Sequence, residues 1–492
     1  MTIVRSPLRT LALLSLLSLL VAAPAATPVA AQNAPARQRV HAAPAWARNA
    51  VIYEVNVRQF TPEGTFAALE KHLPRLQQLG VDILWLMPVQ PIGKLNRKGS
   101  LGSYYSISNY TAVNPEFGTD ADFRHFVAAA HQRHMHVILD WVANHTAFDN
   151  PWTTQHKDYY LLRKDGAISV PLDENGKETD WTDVAQLQFD NRAVWRAMTS
   201  AMRWWASNTG IDGFRQDHAD GPPKAFWDFA RASIDSARSG LFWLAESEDP
   251  KLSADFEATY GWELHHLLND IAEGKKSTAE LDTYFTKDDQ RFPRAEYRMY
   301  FTSNHDENSW AGTEFERMGA NNRPAFVLCA TAEQSFPLIY TGQEANMHKR
   351  LRFFEKDTVD WSDTSSTPFY RALFQLKHRD TVVWNGSWGG AQQKLQTNGG
   401  DRVYAFTRSR GSHSLVVAVN FGDAPAHVSY SRLKRPGAYT DWFSHDRLKL
   451  CGIVNIQLRE LGGILALLRQ SRDRILDHGL RQGAGFLHEP LQ

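Results

Sequence analysis

From Val51 onward, short apolar runs rich in β-branched and aromatic residues alternate with stretches whose apolar positions recur every three or four residues. The first pattern predicts strands and the second helices. Side chains alternate between the two faces of a strand and return to one face of a helix after about 3.6 residues. Strands are predicted over Val51–Phe60, Val81–Val89, Val137–Val142, Ile211–Phe214, Leu241–Ala245, Arg298–Thr302 and Leu338–Tyr340, and Asp255–Ala258 completes the set. Helices are predicted over Phe66–Leu79, Asp120–His134 and Met198–Asn208. Strands that alternate with helices build parallel βαβ units, and about eight such units over roughly 330 residues predict a (β/α)8 barrel.

Two segments break the alternation. Thr146–Gln188 is long, polar and aromatic, without a clear helix, and reads as a subdomain inserted after the third strand. From Thr381 the pattern changes to short alternating strands such as Leu415–Asn420 and Ala426–Tyr430, which predict an antiparallel β domain. The expected organisation is an α/β (β/α)8 barrel over residues 47–380, carrying an insert at 146–188, then a C-terminal β domain over 381–468 and a basic tail over 469–492.

The N-terminus reads as a targeting segment. Arg5 and Arg9 precede an apolar run, Leu11–Ala23, which falls short of the roughly 20 residues that a spanning helix needs. Val29-Ala30-Ala31 offers small residues for cleavage. Residues 1–31 are therefore expected to be a signal peptide and 32–46 an Ala/Pro/Arg-rich linker, giving a secreted or periplasmic protein without membrane attachment after cleavage. The 54 basic residues balance the 54 acidic ones, so neither nucleic acid nor an anionic membrane is expected as a partner. Two cysteines, Cys329 and Cys451, are too few for a disulfide framework and are expected to be unpaired. Nothing in the pattern speaks to oligomeric state.

Barrels of this kind carry their chemistry at the C-terminal ends of the strands. Asp140 lies near the end of the third predicted strand, with Asn144 and His145 beyond it. Arg215 and Asp217 follow the fourth, Glu246 the fifth, and His305 and Asp306 the seventh. An acid after a strand is often no more than a helix cap, but three after strands four, five and seven exceed what capping explains. Glycoside cleavage needs a protonated carboxyl beside the leaving oxygen and an ionised one to attack the anomeric carbon or activate water. Arg215 and Asp217 sit two residues apart, on one face of a strand, where the cation would favour the ionised carboxylate. His131, His134 and His136 look like a metal cluster by count, but they lack fixed ligand spacing and read as surface residues.

These residues resemble the α-amylase family, glycoside hydrolase family 13. Asp140-Trp-Val-Ala-Asn144-His145, Gly213-Phe-Arg215-Gln-Asp217, Glu246 after Phe-Trp-Leu-Ala, and Phe301-Thr-Ser-Asn-His305-Asp306 match its four main regions in order. Gly80–Pro88, Tyr105 to Thr119 and Tyr340-Thr-Gly-Gln-Glu344 add further matches. The resemblance implies retaining hydrolysis of α-glucosidic, mainly α-1,4, bonds in starch, glycogen or maltooligosaccharides. By position it implies Asp217 as nucleophile, Glu246 as acid/base and Asp306 as the third carboxylate. Tyr105, His145, Arg215 and His305 would bind substrate or orient the nucleophile, and Asp140 would support Arg215. An α-glucosidase or transglycosylase acting on short maltooligosaccharides is the alternative, with a non-catalytic carbohydrate-binding protein or a metal-dependent barrel hydrolase more remote.

The chain also departs from the family. His218-Ala219-Asp220-Gly221 stands where family amylases often have two small residues and then Lys-His. This removes a lysine that contacts sugar and a histidine whose carbonyl helps bind calcium, although Asn144 stands at a calcium-ligand position. No cofactor or metal ligand is assigned on this reading, and the usual calcium site looks incomplete. Val184-Ala185-Gln186-Leu187-Gln188 matches neither the amylase nor the oligo-1,6-glucosidase form. Trp152, Trp181 and Trp310 are candidates to stack on sugars, whereas Trp204 and Trp205 read as core.

Overall fold

The computed structural model describes residues 41–424, 426–431, 437–450, 454–458 and 468–470. The expected signal peptide at 1–31, Cys451 and residues 471–492 of the tail lie outside the described residues. Ten strands come first: β1 Ile52–Val55, β2 Ile83–Leu86, β3 His136–Val142, β4 His145–Ala147, β5 Val184–Gln186, β6 Gly213–Asp217, β7 Phe242–Ala245, β8 Ala258–Tyr260, β9 Tyr297–Tyr300 and β10 Ser335–Tyr340. All but β4 and β5 close into a parallel barrel in the order β1-β2-β3-β6-β7-β8-β9-β10, and β10 pairs back onto β1. This is the expected (β/α)8 barrel.

The barrel strands are buried on both faces. One set of side chains, including Ile52, Ile83, Ile138, Leu244 and Met299, fills the barrel interior. The alternate set, including Leu84, Leu139, Phe214 and Trp243, packs outward against the helices. Those helices follow the spacing of their apolar residues. In Arg192–Asn208, Val194, Trp195, Met198, Ala201, Met202 and Trp205 are buried at intervals of one, three or four, and the Asn191 side chain caps the start. Asp120–His131 starts with a reciprocal capping box between Thr119 and Asp122. At Gly213 a β-carbon would lie 1.8 Å from the Phe242 carbonyl oxygen, so β6 and β7 pair there only with glycine.

Several element boundaries differ from the sequence expectation; among them, the helix predicted over Phe66–Leu79 is two, Phe66–Glu70 and Leu73–Leu79, and the strand placed at Asp255–Ala258 is Ala258–Tyr260. The strand predicted over Val51–Phe60 ends at Val55, and Val57–Phe60 forms one helical turn. Arg58 in that turn reaches the carbonyls of Leu101, Gly102 and Phe353, which fixes the loops above the barrel. The fourth barrel strand extends to Asp217, so Arg215 and Asp217 lie within it rather than after it. The helix predicted over Met198–Asn208 begins at Arg192, six residues earlier. Below the barrel, the turn Ala45–Asn49 covers the interior, and Trp46 stacks on His136 at 3.7 Å.

The insert leaves the barrel through β4 and returns through β5, which pair antiparallel. Between them lie one helical turn, Trp152–Gln155, and isolated bridges Leu162–Ile168 and Leu172–Glu178. After the helix Thr367–Arg379 the chain becomes antiparallel: β11 Ala391–Lys394, β12 Gln396–Thr397, β13 Val403–Arg410, β14 His413–Asn420, β15 Ala426–Ser431, β16 Gly437–Asp441, β17 Arg447–Leu450, β18 Val454–Leu458 and β19 Leu468–Gln470. They form two sheets, β11-β13-β14-β19-β16-β17 and β12-β15-β18. Buried Arg408 joins this domain to the barrel by donating to the carbonyls of Thr331 and Ala332.

Candidate active site

Asp140 on β3 and Arg215 on β6 are register partners, and both are fully buried. Asp140 accepts from Arg215 Nη1 at 2.9 Å, Tyr105 Oη at 3.0 Å and Trp85 Nε1 at 3.2 Å. This fixes the guanidinium, whose Nε also donates to Tyr260 Oη at 3.1 Å. The upper side of the same guanidinium meets the two acids expected to react. Nη1 lies 3.0 Å from Asp217 Oδ1, and Nη2 lies 2.7 Å from Glu246 Oε1. Adjacent barrel strands thus bring Asp217 and Glu246 to one cation, three residues past which the chain turns at His218 with φ +43°. That left-handed turn, uncommon for a residue with a β-carbon, aims the His218 N–H at Glu246 Oε2, 2.8 Å away.

His305 and Asp306 reach the same floor from the segment after β9. His305 Nδ1 is bonded to Glu54 Oε1 at 2.5 Å, and its Nε2 faces Tyr105 Oη at 2.8 Å and Asp306 Oδ2 at 3.3 Å. The Tyr105 ring lies nearly parallel to the His305 and Phe353 rings. His145, at the start of β4, completes the group from the insert side. Asp217, Glu246, Asp306, His305, His145 and Tyr105 all line one cleft of about 760 Å³, whereas Asp140 and Arg215 lie beneath it. Asp217 and Glu246 are 13% and 16% exposed, while Asp306 is 40% exposed and faces the solvent side.

Burial dominates the electrostatics. It pushes the Asp217 carboxyl up to about 6, against the pull of Arg215, with the Glu246 charge adding to the rise. Glu246 is raised by burial too, with Arg215 opposing and Asp306 reinforcing. The sequence expectation that Arg215 would favour an ionised Asp217 gives the right sign for the arginine, but desolvation of the acid is the larger effect. Two acids of raised pKa beside one cation share protons and titrate as a pair. Asp140 is likewise raised to about 6 by burial, with Arg215 opposing. Burial alone would depress His305, but Asp306 and Glu54 outweigh it and bring the imidazole up to about 9, so it is a cation at neutral pH. Burial holds His145 down at about 3, with the neighbouring His218 adding to the effect, so it is neutral.

Aromatic walls rise from this floor. Trp181 and Trp310, both singled out in the sequence, line the cleft and are 38% and 56% exposed. Trp152 does not reach it; it packs on Tyr110 and Tyr159. Trp205 is buried as expected. His131 and His136 both turn to Asp212, and His134 does not join them. Among the described residues, no three His, Cys, Asp or Glu side chains converge as a metal site.

Sequence reasoning missed Glu54, Tyr260, Trp262, Phe353 and Lys98. Glu54 and Tyr260 sit inside apolar strands and carry no spacing signal. Trp262 opens a helix after β8, and Lys98 and Phe353 lie on loops whose paths only the tertiary fold decides.

The description "Alpha amylase, catalytic domain" matches residues 42–225, and "Alpha amylase, C-terminal all-beta domain" matches 395–460. Alpha-amylase MalA of Haloarcula japonica is 28% identical over 417 residues, covering 80% of this chain; the chain spans 58% of that protein's length. The noncanonic maltogenic alpha-amylase AmyB of Thermotoga neapolitana superposes with a TM-score of 0.77 at 26% identity, over 86% of this chain and 99% of that one. An alpha-amylase from Lactobacillus plantarum superposes with a TM-score of 0.76 at 27% identity, over 87% of this chain and 100% of that one. With the same barrel, the same C-terminal sheets and the family's acids gathered around one arginine, the chain belongs to the α-amylase family, glycoside hydrolase family 13.

Proposed function

We propose that this protein hydrolyses α-glucosidic bonds, mainly α-1,4, in starch, glycogen or maltooligosaccharides, with retention of anomeric configuration. The observation that carries this reading is the single Arg215 guanidinium joining Asp217 and Glu246 at the floor of an aromatic-walled cleft. The Asp217 carboxylate attacks the anomeric carbon while the Glu246 proton passes to the leaving oxygen, so one C–O bond forms as the glycosidic one breaks. Glu246, now ionised, takes a proton from water, whose oxygen attacks the same carbon and releases Asp217. Each displacement inverts, and the two together retain. Charged His305 donates to a sugar hydroxyl beside Asp306, and Trp181 and Trp310 stack on sugar faces.

A second reading, an α-glucosidase or transglycosylase for short chains, is favoured by one contact. Lys98 Nζ crosses from the loop after β2 to the insert, 2.6 Å from the Asp180 carbonyl and 3.6 Å from Asp183. All three line the cleft, so the bridge walls one side of it. The maltogenic name of the Thermotoga relative is in keeping with short products. Time courses on soluble starch and maltoheptaose, with anomers read by NMR and Glu246→Gln in parallel, separate the cases. Mixed α-configured oligosaccharides, absent with the variant, support endo hydrolysis. Glucose released mainly from short chains supports the second reading. No wild-type activity on any α-glucan refutes both.

Export of the protein is part of the same proposal, resting on Arg5, Arg9 and the apolar run after them. Amino-terminal sequencing of protein from the medium or periplasm should start at Gln32; retention of the intact N-terminus in the cytoplasm refutes it.

A further inference from the structure

The resemblance to amylases implies a calcium ion, and two positions locate where it would sit. One is Asn144. The other is Gly221, which stands where those amylases have the histidine that lends its carbonyl. The fold does bring them together: a β-carbon on Gly221 would lie 2.4 Å from Asn144 Oδ1. The place is already filled by a side chain of the insert. Gln186 Nε2 lies 3.1 Å from Asn144 Oδ1, 3.1 Å from the Asn144 carbonyl and 2.9 Å from the Leu187 carbonyl. One amide nitrogen thus sits among three oxygens, as a cation would. The other half of the amide is fixed too, since Asn144 Nδ2 donates to Gln186 Oε1 at 3.2 Å.

This set does not fit calcium. The ion takes six to eight oxygen ligands, usually with carboxylates among them, and the three oxygens here are neutral carbonyls. Asp220, the nearest acid in sequence to Gly221, accepts instead from Ser247 Oγ at 2.6 Å. Turning the Gln186 amide over would aim Oε1 at three other oxygens, an arrangement that only a cation would relieve. With nitrogen inward, every atom of the pair is satisfied without one.

We propose that Gln186 takes the place of the metal. Its amide fastens the return strand β5 of the insert to the barrel beside His145, so the cleft wall forms without a divalent cation. The same residue explains why the segment Val184–Gln188 departs from both familiar family forms.

The test is thermal unfolding of the whole mature protein in excess EDTA and in millimolar calcium chloride, followed by circular dichroism. This readout is independent of which glycan is cleaved, so it stands apart from the activity proposed above. The wild-type Tm should be the same in both buffers. A Tm that falls in EDTA and returns with calcium overturns the proposal. Gln186→Ala should lower Tm by roughly 2–6 °C, as expected for losing a few buried hydrogen bonds in a protein of this size. A variant Tm equal to wild type also overturns it, because the amide would then hold nothing.

Discussion

Replacing Arg215 by lysine is the sharpest test of the site, because it keeps the charge and changes only the geometry. Arginine uses three nitrogens to reach Asp140, Asp217, Glu246 and Tyr260 at 2.7 to 3.1 Å. A lysine ammonium is a single point and cannot span groups placed around a planar fork. Loss of at least two contacts follows. Each charged hydrogen bond contributes about 1.5–3 kcal/mol, so the site loses roughly 3–6 kcal/mol of organisation. Arg215 is fully buried and the reacting acids are less than a fifth exposed, so solvent screens little of this. If that organisation acts mainly on the transition state, kcat/KM falls by about 10²- to 10⁴-fold. The pH profile should move as well. Arg215 holds Asp217 and Glu246 below the values that burial alone would set. A poorly placed ammonium lets both rise, and attack in the proposed mechanism needs ionised Asp217, so the acid limb of kcat/KM should shift to higher pH. The assay is hydrolysis of maltoheptaose across pH, with Tm recorded on the same samples. A variant within tenfold of wild type and with an unmoved acid limb would refute the reasoning.

His305 should make stability fall toward alkaline pH. Its folded pKa of about 9 lies above the ordinary 6.5, so its contribution is complete below about pH 6.5 and lost as pH rises through 9, amounting to as much as about 3 kcal/mol. Urea unfolding should therefore find the gap between wild type and His305→Gln wide at about pH 6 and narrow near pH 9.5; a gap that ignores pH counts against the charged imidazole. Trp310→Ala should raise KM on maltoheptaose by about 3- to 10-fold with little change in kcat, the size expected for one lost stacking contact, and an unchanged KM would remove Trp310 from the binding surface. Lys98→Ala should leave Tm within about 2 °C, because the lysine is partly exposed and lies 3.6 Å from the buried Asp183 carboxylate. It should also raise activity on long chains relative to short ones; an unaltered ratio means the bridge does not limit the cleft.

Much of the barrel is legible in the sequence because its strands are buried on both faces. A run such as Val-Asp-Ile-Leu-Trp-Leu is driven to burial by its apolar side chains, and Ile83–Leu86 is buried throughout. Ends are harder to read, since they depend on contacts made elsewhere. Val57–Phe60 continues the apolar pattern of β1, yet it turns because Arg58 must reach carbonyls of loops that lie some 40 and 300 residues further along. The acids were visible for a related reason: a charged residue at the end of an apolar run is costly unless it is used. Their environment was not visible. Arg215 and Asp217 announce a pair two residues apart, but burial outweighs the arginine, and the rings of Tyr105, Trp85 and Tyr260 that pack around the guanidinium belong to three other strands or loops. Glu54 is the extreme case. It is a single acid inside an apolar strand, and its partner His305 lies 251 residues away. Without that contact it reads as an error in a core; with it, the histidine becomes a buried cation at the cleft floor. The same logic holds at Gln186, where a neutral amide in an unfamiliar motif gains meaning only from the three oxygens the fold places around it.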